Sequence, residues 1–419
     1  MQNFITTIRV GTFLGIRQLR RANIWTTLLI VFIMTLTFLN LVVVSGILVG
    51  LIEGAIQQNR SQYSGDVFFS VMDNKTTIER TQNIVDTLET NAYVDRFAVR
   101  YNESALIEGN YQTRRDFNTA PDTVGAGLSG IDPIAESEFA GLENSVIEGK
   151  FLDPNESGYI ILGSYLLERH SESLAGTGLP MLKGVPIGSR VKVTVQGKTQ
   201  EFIVKGVIKS KVDQLSMRAF ITQGDFLRLV ERPSLNANEI GVFHNGSVSD
   251  DQFKEIMIQN GFGQYAKIQT SDESVPQFII QMKDAFGLLG AVIGAIGVSV
   301  ASITIFIVIF INAVTRRKFI GIMKGIGVAP KAIQFSYIMQ SLFYGILGSA
   351  VGTMVVYGFL VPVFQKHPID FPFSDGILVA PVSGTITKII ILLIVTIVAG
   401  YIPARMITKQ NTLDSILGR

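Results

Sequence analysis

Residues 285–315, AFGLLGAVIGAIGVSVASITIFIVIFINAVT, form a run of 31 without one charged side chain. An apolar stretch of 18 or more reads as a membrane span. One helix rising 1.5 Å per residue needs about 20 residues to cross the hydrocarbon, so the surplus implies tilt or projection from the bilayer. Arg316, Arg317 and Lys318 end the run abruptly. A chain built on this segment folds in a membrane.

Three further stretches fit the same reading: residues 24–52, 332–364 and 386–404. Only 17% of the chain is charged, against about 25% in soluble proteins. There is no cysteine, and His170, His244 and His367 lie far apart, so no thiol chemistry or metal-ligand spacing is present. The spans carry no charge apart from Lys388 near the outer edge of the last one, which argues against ion-coupled transport. The net charge of +2 conceals an asymmetry and is no argument for nucleic acid.

That asymmetry orients the chain. The N-terminal segment (residues 1–23), the loop (316–331) and the tail (405–419) hold 12 basic residues against the single acid Asp414. Lysine and arginine collect on the cytoplasmic side, which places both termini inside and requires four spans. Residues 1–23 space their apolar side chains helically among Arg9, Arg17, Arg20 and Arg21. They form either an amphipathic helix on the inner surface or a helix continuous with the first span.

Residues 53–284 differ in kind, with 31 acidic and 22 basic side chains and no run long enough to span. This is a folded extracytoplasmic insert of the α+β class, large enough for two lobes. DVFFSVM (66–72) predicts a strand and residues 77–88 a helix. RVKVTV (190–195), a Gln196-Gly197-Lys198 turn and EFIVKGVI predict a hairpin. Thr222 with Asp225 and Ser249 with Gln252 predict capping boxes. Residues 110–137 and 171–186, rich in Gly, Pro, Ser and Thr, read as loops. No nucleophile, base and orienter stand in a recognised pattern, so no catalytic residue is expected. A short outer segment, 365–385, precedes the last span.

Two features bear on function. Gly290 with Gly294 and Gly348 with Gly352 are spaced four apart, which lets helices approach closely, within the chain or between two copies. The loop RRKFIGIMKGIGVAPK sets Ile320, Met323 and Ile326 among basic residues and glycines. It is either a short helix, capped near Gly325 or Gly327 and offered to a cytoplasmic partner, or a surface hairpin held by lipid phosphates.

With the loop RRKFIGIMKGIGVAPKAI, the tail YIPARMI and TLDSIL, and VIEGKFLDPNESGYIILGSYLLERH in the insert, the chain resembles the FtsX-like permeases. That family includes MacB-type exporters and lipoprotein-releasing LolC/LolE complexes. The resemblance implies four transmembrane α-helices with a large extracytoplasmic α+β domain inserted between helices 1 and 2, in the inner (cytoplasmic) membrane. It implies a permease subunit of the mechanotransmission type, not an enzyme, exporting or extracting a lipid-linked or hydrophobic substrate. The alternative it leaves is a non-transporting scaffold that passes ATPase-driven motion to an extracytoplasmic partner.

No GxxxxGK[ST] occurs, so ATP and Mg would be bound by a separate ABC ATPase in two copies. A second permease copy, identical or not, and an extracytoplasmic adaptor or outer-membrane channel would complete the assembly, alongside membrane lipid. The family's coupling helix falls on Arg316, Arg317, Lys318, Phe319, Ile320, Gly321, Met323, Lys324 and Gly327, with Ile320, Gly321, Met323 and Lys324 expected at the contact. Many members carry an acid just before the Ile-Gly pair; this chain has Phe319. Pro403 and Arg405 match the family's span-ending element.

Overall fold

The computed structural model describes residues 2–112, 120–171, 178–231, 236–371 and 374–410. Parts of the two expected loops, 113–119 and 172–177, and the tail from 411 onward lie outside the described residues. The chain divides into two compact units. One holds residues 1–52, 281–370 and 375–419; the other holds residues 53–280 with 371–374.

Among the described residues four helices are long and apolar enough to cross a membrane: Ile24–Ser64, Gln277–Thr315, Pro330–Lys366 and Val382–Thr408. Each is longer than its apolar core, because a helix ends at a backbone signal and not where hydropathy falls. Pro276 and Pro381 stand immediately before two of them and Pro330 opens a third, positions where a missing N–H costs nothing. Pro403 does not end the fourth helix, contrary to the sequence expectation; the helix continues through it to Thr408. The third helix widens to a π-turn at Val356–Leu360, just before Pro362 removes an amide from the ladder.

The third span is the hub of the membrane unit. It buries Ile333, Tyr337, Gln340, Tyr344 and the glycines at 345, 348 and 352. From the first span Ile30, Met34, Phe38 and Val42 form a stripe four residues apart, and from the second Ala301, Ile305, Ile309 and Ala313 do the same. The N-terminal helix Gln2–Arg20 also packs on the third span. A Cβ added at Gly11 would sit 2.8 Å from the Ala332 carbonyl, and one at Gly15 would sit 3.2 Å from that of Ser336.

Among its described residues the insert has ten strands: β1 (Val67–Ser70), β2 (Val94–Glu108), β3 (Thr123–Ile131), β4 (Val146–Gly149), β5 (Tyr159–Gly163), β6 (Arg190–Val195), β7 (Lys198–Ile208), β8 (Arg218–Thr222), β9 (Glu239–His244) and β10 (Lys267–Thr270). Their order is β10-β1-β9-β2-β3-β8-β5-β7-β4, with β6 paired to β2 and β7. The long β2 serves both lobes: its first half, through Arg100, pairs with β9, and its second, from Tyr101, with β3. β6 and β7 form the expected hairpin. Gln196 (φ +49°) and Gly197 (φ +83°) make its two-residue turn, the geometry that matches strand twist. Ser249 and Gln252 make a full capping box. Thr222 caps Asp225 N, but the Asp225 carboxylate turns instead to Ser157 Oγ and Gly158 N. The stretch read as a loop over residues 110–137 contains β3 and begins the helix Pro133–Ala140.

Candidate functional site

The basic loop folds as the helix Arg317–Gly325. Its end is set by Gly327 at φ +94°. There the Val328 amide donates to the Met323 carbonyl (3.0 Å) and the Gly327 amide to that of Lys324 (3.1 Å), the paired bonds of a Schellman close. Of the two expected capping glycines, Gly327 serves.

The helix has two faces. Ile320 (2% exposed) and Gly321 are buried in the membrane unit, and Met323 packs against the same core. Lys324 Nζ donates to the carbonyls of Thr408 (3.1 Å) and Gln410 (2.7 Å), closing the C-terminus of the fourth span with a cation. These four residues, expected at a partner contact, all have neighbours within the chain. The outward face carries Lys318, Phe319 (67% exposed), Ile322 (43%) and Ile326 (76%). Arg316 and Arg317 are half-buried at the helix start. Sequence reasoning passed over Ile322, although the 319, 322, 326 spacing marks one helical face.

The glycine pairs are used inside the chain. A Cβ at Gly348 would lie 2.4 Å from Met34 Cβ, and one at Gly352 would lie 2.4 Å from the Phe38 ring. Gly290 faces Ser45 and Gly294 faces Leu41. All four face the first span's helix. Between the first and second spans lies an apolar groove of about 680 Å³, walled by Leu36, Val43, Ile293, Ile296 and Val300. Asn40 also lines it, with its side-chain carbonyl buried and unpaired.

In the insert, polar chemistry gathers where β2 changes lobes. Arg100, fully buried, donates from Nε to Glu136 Oε2 (3.0 Å) and from Nη1 to the Tyr63 carbonyl (2.6 Å). Arg218 donates to both Glu239 oxygens (3.0 and 2.8 Å) and to Tyr63 Oη (3.1 Å). Burial pushes the Glu239 carboxyl up, but the charges of Arg218 and Arg100 outweigh it and hold the group at about 2. Asp66, His244 and Asp250 bring three ligand-type atoms within 4.8 Å of one another. Arg60 pairs with both carboxylates, at 2.6 Å from Asp66 and 3.3 Å from Asp250. The His244 ring lies 2.8 Å from Asp250. The arrangement is a closed ion-pair network and gives no reason to expect a metal.

The chain thus has four long apolar helices, an α+β domain inserted between the first two, and a short basic helix joining the second and third. Residues 291–412 match the family model described as FtsX-like permease C-terminal. It is 27% identical over 234 residues to the ABC transporter permease YtrF of Bacillus subtilis, covering 52% of each chain. It is 22% identical over 171 residues to a probable export ATP-binding/permease protein of Pseudomonas fluorescens, covering 40% of this chain and 25% of that one. An uncharacterized ABC transporter permease protein of Mycobacterium tuberculosis is 23% identical over 313 residues, 72% of this chain and 33% of that one. The chain thus spans about half or less of the length of these curated relatives. Among solved structures it is similar to the periplasmic region of MacB from Actinobacillus actinomycetemcomitans (17% identity, 52% of this chain and 94% of that one, TM-score 0.34). It is also similar to the extracellular domain of the transporter YknZ (16% identity, 49% and 98%, TM-score 0.31).

Proposed function

We propose that the chain is the permease subunit of an ABC transporter, moved by a separate cytoplasmic ATPase that binds ATP and Mg. The observation that carries this is the outward face of the helix Arg317–Gly325 and its close. Phe319, Ile322 and Ile326 stand exposed on the basic, inward side of a chain with no nucleotide-binding motif of its own. Exposed apolar anchors on a helix suit a groove in a protein partner. One relative's name joins ATP-binding and permease functions in a single protein, which supports an ATPase as that partner. Only Arg316 separates this helix from the second span, so a push on the helix reaches that span directly.

The positive-inside asymmetry supports cytoplasmic termini and an extracytoplasmic insert. The groove beside Asn40 suits a hydrophobic or lipid-linked substrate, being apolar with Thr37 and Asn40 as its polar side chains. The chain acts without covalent chemistry of its own.

The absence of cysteine makes the test direct. Single cysteines at Phe319 and Ile326 are expected to cross-link to an ATP-binding subunit in native membranes, and a cysteine at Ile320 is not. Phe319→Asp with Ile326→Asp should reduce co-purified ATPase by about tenfold or more, as loss of central apolar anchors does. Undiminished co-purification and ATP hydrolysis in that variant would sink the proposal.

A further inference from the structure

A second site lies beside the same helix, with Phe319 on its rim. Arg17 from the N-terminal helix, Arg21 just beyond that helix's end and Arg316 at the loop-helix start line a cavity of about 410 Å³. Leu14 and Met323 form apolar wall, and Gln18 and Tyr337 also line it.

Among the described residues the cavity has no protein counterion. Residues 1–52 and 285–369 contain no Asp or Glu, and none of the three arginines has a carboxylate partner among the described residues. Two buried polar atoms are also left over. Tyr337 is only 1% exposed, yet its hydroxyl finds no partner, and the Gln18 side-chain carbonyl is likewise buried and unpaired. Buried polar groups are nearly always paired, so orphans ask for an explanation.

We propose that this cavity binds the headgroup of an anionic phospholipid of the inner leaflet, one carrying a hydroxyl beyond its phosphate. The phosphate oxygens accept from the guanidinium forks and from Tyr337 Oη, and charge-assisted bonds of this kind are the strong ones. The headgroup hydroxyl donates to Gln18 Oε1. A lipid fits better than a free anion because Leu14 and Met323 offer contact to glycerol and acyl carbons. It fits better than a protein carboxylate because a carboxylate brings no donor for Gln18. Bound there, the lipid ties the N-terminal helix to the helix Arg317–Gly325.

The full chain is reconstituted in phosphatidylcholine bilayers containing phosphatidylglycerol, and lipid retained after detergent extraction is counted by native mass spectrometry. Phosphatidylglycerol is expected to be enriched, and Arg17→Gln with Arg21→Gln and Arg316→Gln to abolish the enrichment. Tyr337→Phe, losing one bond to a charged group, should weaken retention by about tenfold. This isosteric variant remains informative if the triple variant does not insert. In phosphatidylcholine alone it should be no less stable than the parent, since no internal partner is lost; with phosphatidylglycerol it should lose the added thermal stability. Equal losses in Arg9→Gln or Lys331→Gln, which lie outside the cavity, would mean diffuse surface attraction and overturn the proposal. So would full retention in Tyr337→Phe, or displacement of the lipid by millimolar inorganic phosphate, which would mark a free-anion site.

Discussion

Phe319 and Ile320 are neighbours in sequence and opposites in consequence. Ile320 is packed inside the membrane unit while Phe319 faces outward. Truncating a buried isoleucine removes transfer energy and leaves a cavity, a cost of about 2–5 kcal/mol, whereas exposed positions usually shift stability by about 0.5 kcal/mol or less. Ile320→Ala is therefore expected to lower the unfolding midpoint in detergent clearly, and Phe319→Ala to leave it unchanged while weakening the ATPase contact. A loss of ATPase binding in Ile320→Ala at unchanged stability would reverse the assignment of faces. Gly348 allows a sharper test. A Cβ there would lie 2.4 Å from Met34 Cβ and 3.1 Å from the Met34 backbone carbon, so a flexible side chain cannot simply move aside. Gly348→Ala should separate the first and third spans and destabilise by about 1–3 kcal/mol, the usual cost of overpacking. Ala substitution at Gly287, which meets nothing within 4 Å, serves as the control in the same thermal assay.

At the level of elements, what the sequence made legible followed hydropathy and local turn chemistry. The four spans, the 190–208 hairpin and the Ser249 cap each announce themselves by period or by turn residue. What stayed hidden was determined by partners distant in sequence. β3 was read as loop because Gly125, Gly127 and Gly130 dilute it, yet a Cβ at Gly130 would lie 2.5 Å from Phe226. That glycine is a packing requirement of a central strand, where composition suggests a turn. The N-terminal helix shows the same limit: Gly11 and Gly15 lie outside the spans, and only the third span packed on them reveals their use. In the loop helix, the positions were legible but the side that faces out was not, since nothing local says which apolar face the spans cover. Its close at Gly327 can be tested. A side chain at φ +94° is strained, so Gly327→Ala should destabilise the turn by about 1 kcal/mol or more, read as faster amide exchange at Val328 and in the last turn of the helix. Unchanged exchange would show that the Schellman close does not hold this end.

Across the whole molecule, ionisable groups are distributed so unevenly that the two units should respond differently to acid. The insert carries 31 of the 34 acidic residues, and residues 1–52 and 285–369 carry none. Glu239 is held at about 2, well below the usual carboxylate range, by Arg218 and Arg100 against its burial. Glu148 and Glu273 are also lowered, chiefly by hydrogen bonds from Arg169 and Lys254. A carboxyl with a depressed folded pKa contributes stability that is complete above its unfolded value and is lost as pH falls through the folded one. The insert should accordingly keep its stability down to about pH 4.5 and lose it progressively toward about pH 2. Glu239→Gln should weaken the insert at neutral pH by about 3–5 kcal/mol, because Arg218 is left buried without its counter-charge, and should flatten the acid transition. The single tryptophan, Trp25, lies in the membrane unit and reports on it alone. Near-ultraviolet circular dichroism from the insert's tyrosines should collapse across that window while Trp25 emission holds steady, since its unit holds only four acidic side chains, Asp284, Asp370, Asp375 and Asp414. A Trp25 shift with the same midpoint would mean that the two units unfold as one.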